Sequence, residues 1–224
     1  MPSNPEPAWG AGQRVDRQPS SLSSTGITPV IATGVFVRLL EAHFADPANI
    51  RNSQLRAFLW ADSDTDIDPL TTRINILPGY KYDTRLLEQS PSVFVKRDEC
   101  MAAKFNLAGK ATTHLEQNGN YRGENHLRVI RGAHSILCCA KGALNSETIA
   151  EEVFYRMLEY SPVIQDDLKF GDFEVKSMAP AVKMEDDKDY FVTQVTLVWQ
   201  IVHSWVLQPI APILKKVSSS VNIL

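Results

Sequence analysis

The sequence predicts an α+β protein: a mostly antiparallel sheet with helices packed on one face, a long C-terminal strand, and extended arms at both ends. Three observations carry this reading. Residues 190–207 alternate with a period of two, residues 33–45 and 144–162 place apolar side chains at helical spacing, and the segments between them alternate at hairpin distances. The expected boundaries are an extended or disordered arm over 1–30, a domain over 31–207 and an extension over 208–224.

Residues 1–30 hold Pro2, Pro5, Pro7, Pro19 and Pro29 and serines at 20, 21, 23 and 24, with no hydrophobic period. Such a segment buries too little to offset the entropy of ordering unless a partner covers it. In 33–45, Phe36, Leu39, Leu40 and Phe44 share a helical face. Asp46 and Pro47 then resemble a cap followed by a first-turn proline, and a second helix is expected within 48–60. Residues 70–76 and 91–98 alternate and read as strands. Residues 111–139 read as a hairpin with its turn in QNGNYRGEN (117–125) and a long second strand. Over 144–162, Asn145 is placed to cap a helix whose stripe is Ile149, Val153, Phe154, Met157 and Leu158. Pro162 is expected to end that helix and to open a short second piece over 162–168. Residues 170–178 alternate, and 183–189 form a polar turn.

The run DYFVTQVTLVWQIVHSWVL (189–207) is long and apolar enough to raise the question of a bilayer span. Gln194, Gln200 and His203 are costly in hydrocarbon, and the period is that of a strand. Its odd positions, Phe191 through Trp205, are mostly large and apolar, while its even positions are mixed. At about 3.3 Å per residue it runs on the order of 50 Å, well past an ordinary strand. An unpaired edge of that length calls for another chain.

Composition narrows the function. The 224 residues are 44% apolar and 22% charged with a net charge of −3, which gives no general attraction to nucleic acid or anionic lipid. Three cysteines, two of them adjacent (Cys138 and Cys139), do not make a disulfide framework and suit a reducing compartment. The first residues show no basic start followed by an apolar run, so no signal peptide is expected. DSDTDIDP (62–69) begins like a calcium loop, but the sixth and twelfth positions hold Ile67 and Arg73 where glycine and glutamate are required. His126, His134 and Cys138 share one parity, yet strand positions four apart lie about 13 Å apart and cannot share a zinc ion. No P-loop, dinucleotide glycine pattern, nucleophile elbow or zinc-binding histidine helix is present, and the glutamates of SETIAEEV suit the start of a helix. No catalytic, metal or cofactor residues are therefore expected, and the chain does not read as an enzyme.

The stretch GAHSILCCAKGALNSETIAEEVFYRMLEYSPVIQDDLKFGDFEVKSM (132–178) resembles the middle of a tail terminator protein of a long-tailed bacteriophage. The likeness lies in a strand entering through Gly-x-His-x-Ile, a capped amphipathic helix, a Ser-Pro stop and a short alternating strand. TGVFVRLLEAHF and the final WQIVHSW extend it over roughly 31–207. The two arms depart from the family pattern. The resemblance implies a cofactor-free virion protein: a homo-hexamer ring that caps the tail tube and ends its polymerisation. Its implied partners are the tail tube protein, the neck connector and, in contractile tails, the sheath protein. DNA passes through its lumen without specific binding, no membrane is involved, and assembly occurs in the host cytoplasm. Another neck ring (connector, stopper or adaptor) is the alternative, and a cytoplasmic enzyme or ligand-binding protein the third reading. On this expectation Trp199, Ile201 and Trp205 serve both the core and a subunit interface, the alternative being that they only fill the monomer core. The acids Asp62, Asp64, Asp66, Asp68, Glu185, Asp186 and Asp187 face the DNA channel, where attraction to phosphate would slow the genome.

Overall fold

The computed structural model describes residues 15–16, 27–60, 73–104, 114–117, 120–185 and 189–207. Outside the described residues lie most of the N-terminal arm, the whole 208–224 extension, Asp62 to Asp68, Asp186 and Asp187, and residues 118–119 of the expected 117–125 turn, whose other residues are strand. The strands are β1 (Val15–Asp16), β2 (Asn75–Pro78), β3 (Ser92–Lys104), β4 (His114–Gln117), β5 (Asn120–Lys141), β6 (Asp172–Met178), β7 (Val182–Lys183) and β8 (Tyr190–Leu207). The helices are α1 (Pro29–Phe44), α2 (Ser53–Leu59), α3 (Thr84–Gln89) and α4 (Ala143–Asp166). The fold is α+β with a mostly antiparallel sheet, in the order β1-β8-β5-β3-β2, with β4 on β5 and with β6 and β7 on β8. The β2–β3 pair is parallel, Asn75 facing Ser92 and Pro78 facing Val95.

The chain divides into two compact units. The larger, residues 25–102 and 130–201, contains all four helices, with β2, β6, β7 and most of β8. The smaller holds, among the described residues, β1, β4 and the remaining residues of β3, β5 and β8. The span 31–207, expected to be one domain, is thus shared between two units. Pro29 and Val30, expected in the arm, open α1, where Thr28 Oγ1 accepts the Ile31 N–H.

In the larger unit the core forms because two periods meet. From α1 come Phe36, Leu40 and Phe44, from α4 Ile149, Val153 and Met157. Facing them are Val93 and Val95 of β3, Ile136 and Cys138 of β5, and Val195, Leu197, Trp199 and Ile201 of β8. Odd positions of β8 from 193 to 201 are buried and even positions from 192 to 202 half-buried, as the alternation requires. The helix α3, six residues capped by Asp83, was not expected. Its Leu87 packs with Phe94, Cys139 and Tyr190 on the opposite face, so a short helix stands apart from the three on the main face. No helix among the described residues is long and apolar enough to cross a membrane.

Two helix expectations are corrected. Pro162 lies inside α4, which continues to Asp166. Its missing N–H costs one intrahelical bond, but Ile164 beyond it is fully buried and Gln165 Nε2 donates to the Phe173 carbonyl. Asn145 is not the cap. The helix starts after Gly142, whose φ of 84° makes a one-residue turn out of β5, and Asn145 Nδ2 donates to the Lys141 carbonyl. Leu158, expected on the apolar stripe, is exposed.

Gly132 is where the backbone of β5 comes close to the Trp199 indole. A Cβ there would stand 2.3 Å from Trp199 Cζ2. Gly132→Ala is expected to lower stability by about 1–3 kcal/mol through overpacking, read as a lower urea midpoint with an unchanged slope; an unaltered midpoint would show that the indole can move aside.

Candidate functional site

Two of the three expected interface residues are interior. Trp199 and Ile201 are 1% and 2% exposed inside the chain's own core, so they offer no side-chain surface to a neighbouring copy. The side chain of Trp205 lies outside the described residues. Trp199 is held by chemistry as well as by packing. Its indole Nε1–H donates to His134 Nδ1 at 2.8 Å, and an indole can only donate. His134 must then be the neutral tautomer with its proton on Nε2, which donates to Thr33 Oγ1 at 2.8 Å. The Thr33 hydroxyl passes its own proton to the Pro29 carbonyl at 3.1 Å. This chain joins β8, β5 and α1, and the His134 ring meets Phe36 edge-on at 5.0 Å. It also accounts for the Gly-x-His-x-Ile pattern: Gly132 admits the indole, His134 receives its N–H, and Ile136 fills the core.

The other polar candidates are structural in the same way. Cys138 and Cys139 point to opposite faces, and burial pushes the Cys138 thiol well above its ordinary value, with Cys139 adding to it. Burial pushes Cys139 up to about 12. Both therefore stay thiols at neutral pH, without the thiolate that redox or nucleophilic work needs. Among the described residues no three His, Cys, Asp or Glu side chains converge on a metal position. At the start of α4, Ser146 Oγ donates to the Cys138 carbonyl and receives the Thr193 hydroxyl, each at 2.8 Å.

One pair escaped the sequence reading. His43 Nε2 and Glu152 Oε1 lie 2.8 Å apart between α1 and α4, both buried. The glutamate, read from sequence as a helix-start acid, sits one turn beyond Ile149 on the buried face. The signal was a polar residue inside the apolar stripe of each helix. Glu152 borders a cleft of about 420 Å3 with Arg51, Ser53, Thr148 and Tyr155. A carboxylate and an imidazole at a cleft margin can support acid–base chemistry. Here, however, His43 Nδ1 is enclosed by protein without a hydrogen-bond partner, and the pair ties two helices together.

The exposed edges differ from those the sequence suggested. The edge of β8 is covered within the chain: Asp172 to Met178 of β6 pair with Gln200 to Val195, Val182 and Lys183 of β7 with Val192 and Phe191, and β1 with Val206 and Leu207. On the sheet face away from the main helices, Gln194 Nε2 donates to Ser135 Oγ, which donates to Asp98. A second row runs from Arg131 through Gln200 to Asp172. The glutamines that argue against a bilayer thus cross-link strands.

One end of the sheet order is β2, and there a groove of about 570 Å3 opens between α1, β2, the turn at Gly79–Lys81 and β3. Val37, Ile76 and Val95 form its apolar floor, and Val30 and Tyr80, 65% and 82% exposed, stand at its rim. Arg38, Lys81, Lys96 and Arg97 border it against the single carboxylate of Glu41. Of the expected channel acids, Glu185 is exposed, whereas Asp62, Asp64, Asp66, Asp68, Asp186 and Asp187 fall outside the described residues. No protein-family model matches the chain, and no curated protein matches it.

His134 supplies a pH signature. Burial, the largest cause, lowers its pKa from 6.5 to about 4, with Asp98 raising it and Arg97 lowering it. The unfolded chain therefore takes the proton first. The neutral ring's contribution is complete above pH 6.5 and is lost as pH falls to about 4, on the order of 3 kcal/mol. Imidazole nitrogen NMR is expected to show the Nε2–H tautomer at pH 6 and protonation only near pH 4; titration near 6.5 would mean that the Trp199–His134–Thr33 chain does not form.

Proposed function

We propose that this chain is a virion structural protein, a tail terminator that forms a ring on the tail tube of a long-tailed phage, ends tube growth and joins tail to neck. The observation that carries the reading is strand length: β5 runs for 22 residues and β8 for 18, against an ordinary five or six. The residues of these strands that fall outside the helix-backed unit belong to a second unit whose described elements are all strands. The described part of that unit is strand alone, which buries little by itself, and further copies of the chain would stabilise it by covering its faces. The order of elements around Gly132, α4 and β6, which carries the resemblance to terminators, supports the same conclusion. Glu185, exposed after β7, and the following Asp186 and Asp187 would give the channel a weakly acidic wall on which DNA slides.

Native mass spectrometry of the purified protein is expected to give a closed ring, a hexamer if the family pattern holds; a strict monomer at tens of micromolar would overturn the proposal. Phage lacking the protein are expected to make overlong tail tubes. Tails of normal length that fail to join heads would assign the chain to a neck connector instead.

A further inference from the structure

We infer that the groove between α1 and β2 receives the acidic segment 62–68 of a second copy of this chain, which makes it the subunit contact of the ring; this rests on the ring reading above. Three observations converge on it. First, β2 is the end of the sheet order, so the groove lies along an edge with no strand beyond it among the described residues. Edge strands are where an extended segment from another chain adds.

Second, Gly34 faces this groove from the middle of α1. A glycine inside a helix costs about 1 kcal/mol relative to alanine, and here, beyond its chain neighbours and its own helix backbone, no described residue stands within 4 Å of where a Cβ would be. No contact within the fold requires the missing side chain. A segment lying against the bare helix backbone does require it.

Third, the charges match. Four cations border the groove against one carboxylate in a chain whose net charge is −3. Arg38 is engaged by Glu41 and Lys96 by Asp98, while Lys81 and Arg97 have no ion-pair partner among the described residues. Asp62, Asp64, Asp66 and Asp68 place four carboxylates in seven residues, and at every second position, so an extended backbone would turn all four to one side. The Arg73 N–H donates to the Leu59 carbonyl at 3.2 Å, so the segment leaves and rejoins the body at one point. Twelve residues looping from that point reach roughly 20 Å at full extension, enough to cross to an adjoining molecule. The contact is head-to-tail, acidic segment to basic groove, and such contacts close into rings by rotation. Asp62 to Asp68 then serve the interface in place of the channel, while 185–187 keep the channel role.

The test is a charge swap in the full-length protein, with assembly followed by light scattering against concentration and salt. Lys81→Glu with Arg97→Glu is expected to raise the half-assembly concentration at least tenfold, as is Asp64→Lys with Asp66→Lys. All four together are expected to restore assembly. Gly34→Trp is expected to block assembly, while Gly34→Ala, whose Cβ has room, permits it, with circular dichroism unchanged in both. Rings that form equally well in every groove variant would overturn the groove contact and leave the ring reading standing. A monomeric wild type would overturn the ring, and a labelled peptide of residues 60–70 then decides the groove. Binding lost in Lys81→Glu/Arg97→Glu supports it, and no binding to wild type overturns it.

Discussion

The proton that Trp199 donates to His134 constrains more of this molecule than any other single contact. An indole N–H buried without an acceptor costs on the order of 1–3 kcal/mol, and His134 Nδ1 is the acceptor provided. Accepting there obliges the imidazole to be neutral and to donate from Nε2, and Thr33 takes that bond. One donor on β8 thereby dictates the protonation state of a residue on β5 and the placement of α1. Gly132 belongs to the same constraint, because the indole reaches His134 only if β5 carries no side chain at that point. With α1 located in this way, the groove it forms with β2 is located too.

Apolar burial alone would not hold the helices in one register. Packing energy is large but nearly indifferent to small slides, whereas a buried hydrogen bond is satisfied at one setting. Each long helix has such a bond. Thr33 locks α1 to the sheet, Ser146 locks the first turn of α4 to β5 and β8, and His43 with Glu152 locks the two helices to each other. Beyond Pro162, Gln165 does the same for the end of α4 through the Phe173 carbonyl. These side chains have the atoms of catalytic groups and the environment of fasteners.

Edges decide how such a protein meets its neighbours. With β6, β7 and β1 paired to β8, Tyr190 and Trp199 are buried within the chain, and one open end of the sheet is β2, a four-residue strand closed by Pro78. Short, proline-ended edges resist indiscriminate pairing. An assembly built there draws its selectivity from charge and from a helix glycine, with large apolar anchors confined to Val30 and Tyr80 at the rim.

By itself the sequence determined what local period determines. A strand turns alternate side chains to opposite faces whatever surrounds it, so the odd positions 193–201 were legible as the buried face before any partner was known. The helical spacing of Phe36, Leu40 and Phe44 was legible for the same reason. Tertiary structure alone decided which polar group meets which: Thr33 and His134 stand 101 residues apart, His134 and Trp199 65, and His43 and Glu152 109. No window of sequence contains such pairs. It also decided that Trp199 faces its own core, that α4 runs through Pro162, and that β2 stands at one end of the sheet. In each case burial against a distant element outweighed the preference of the local residues.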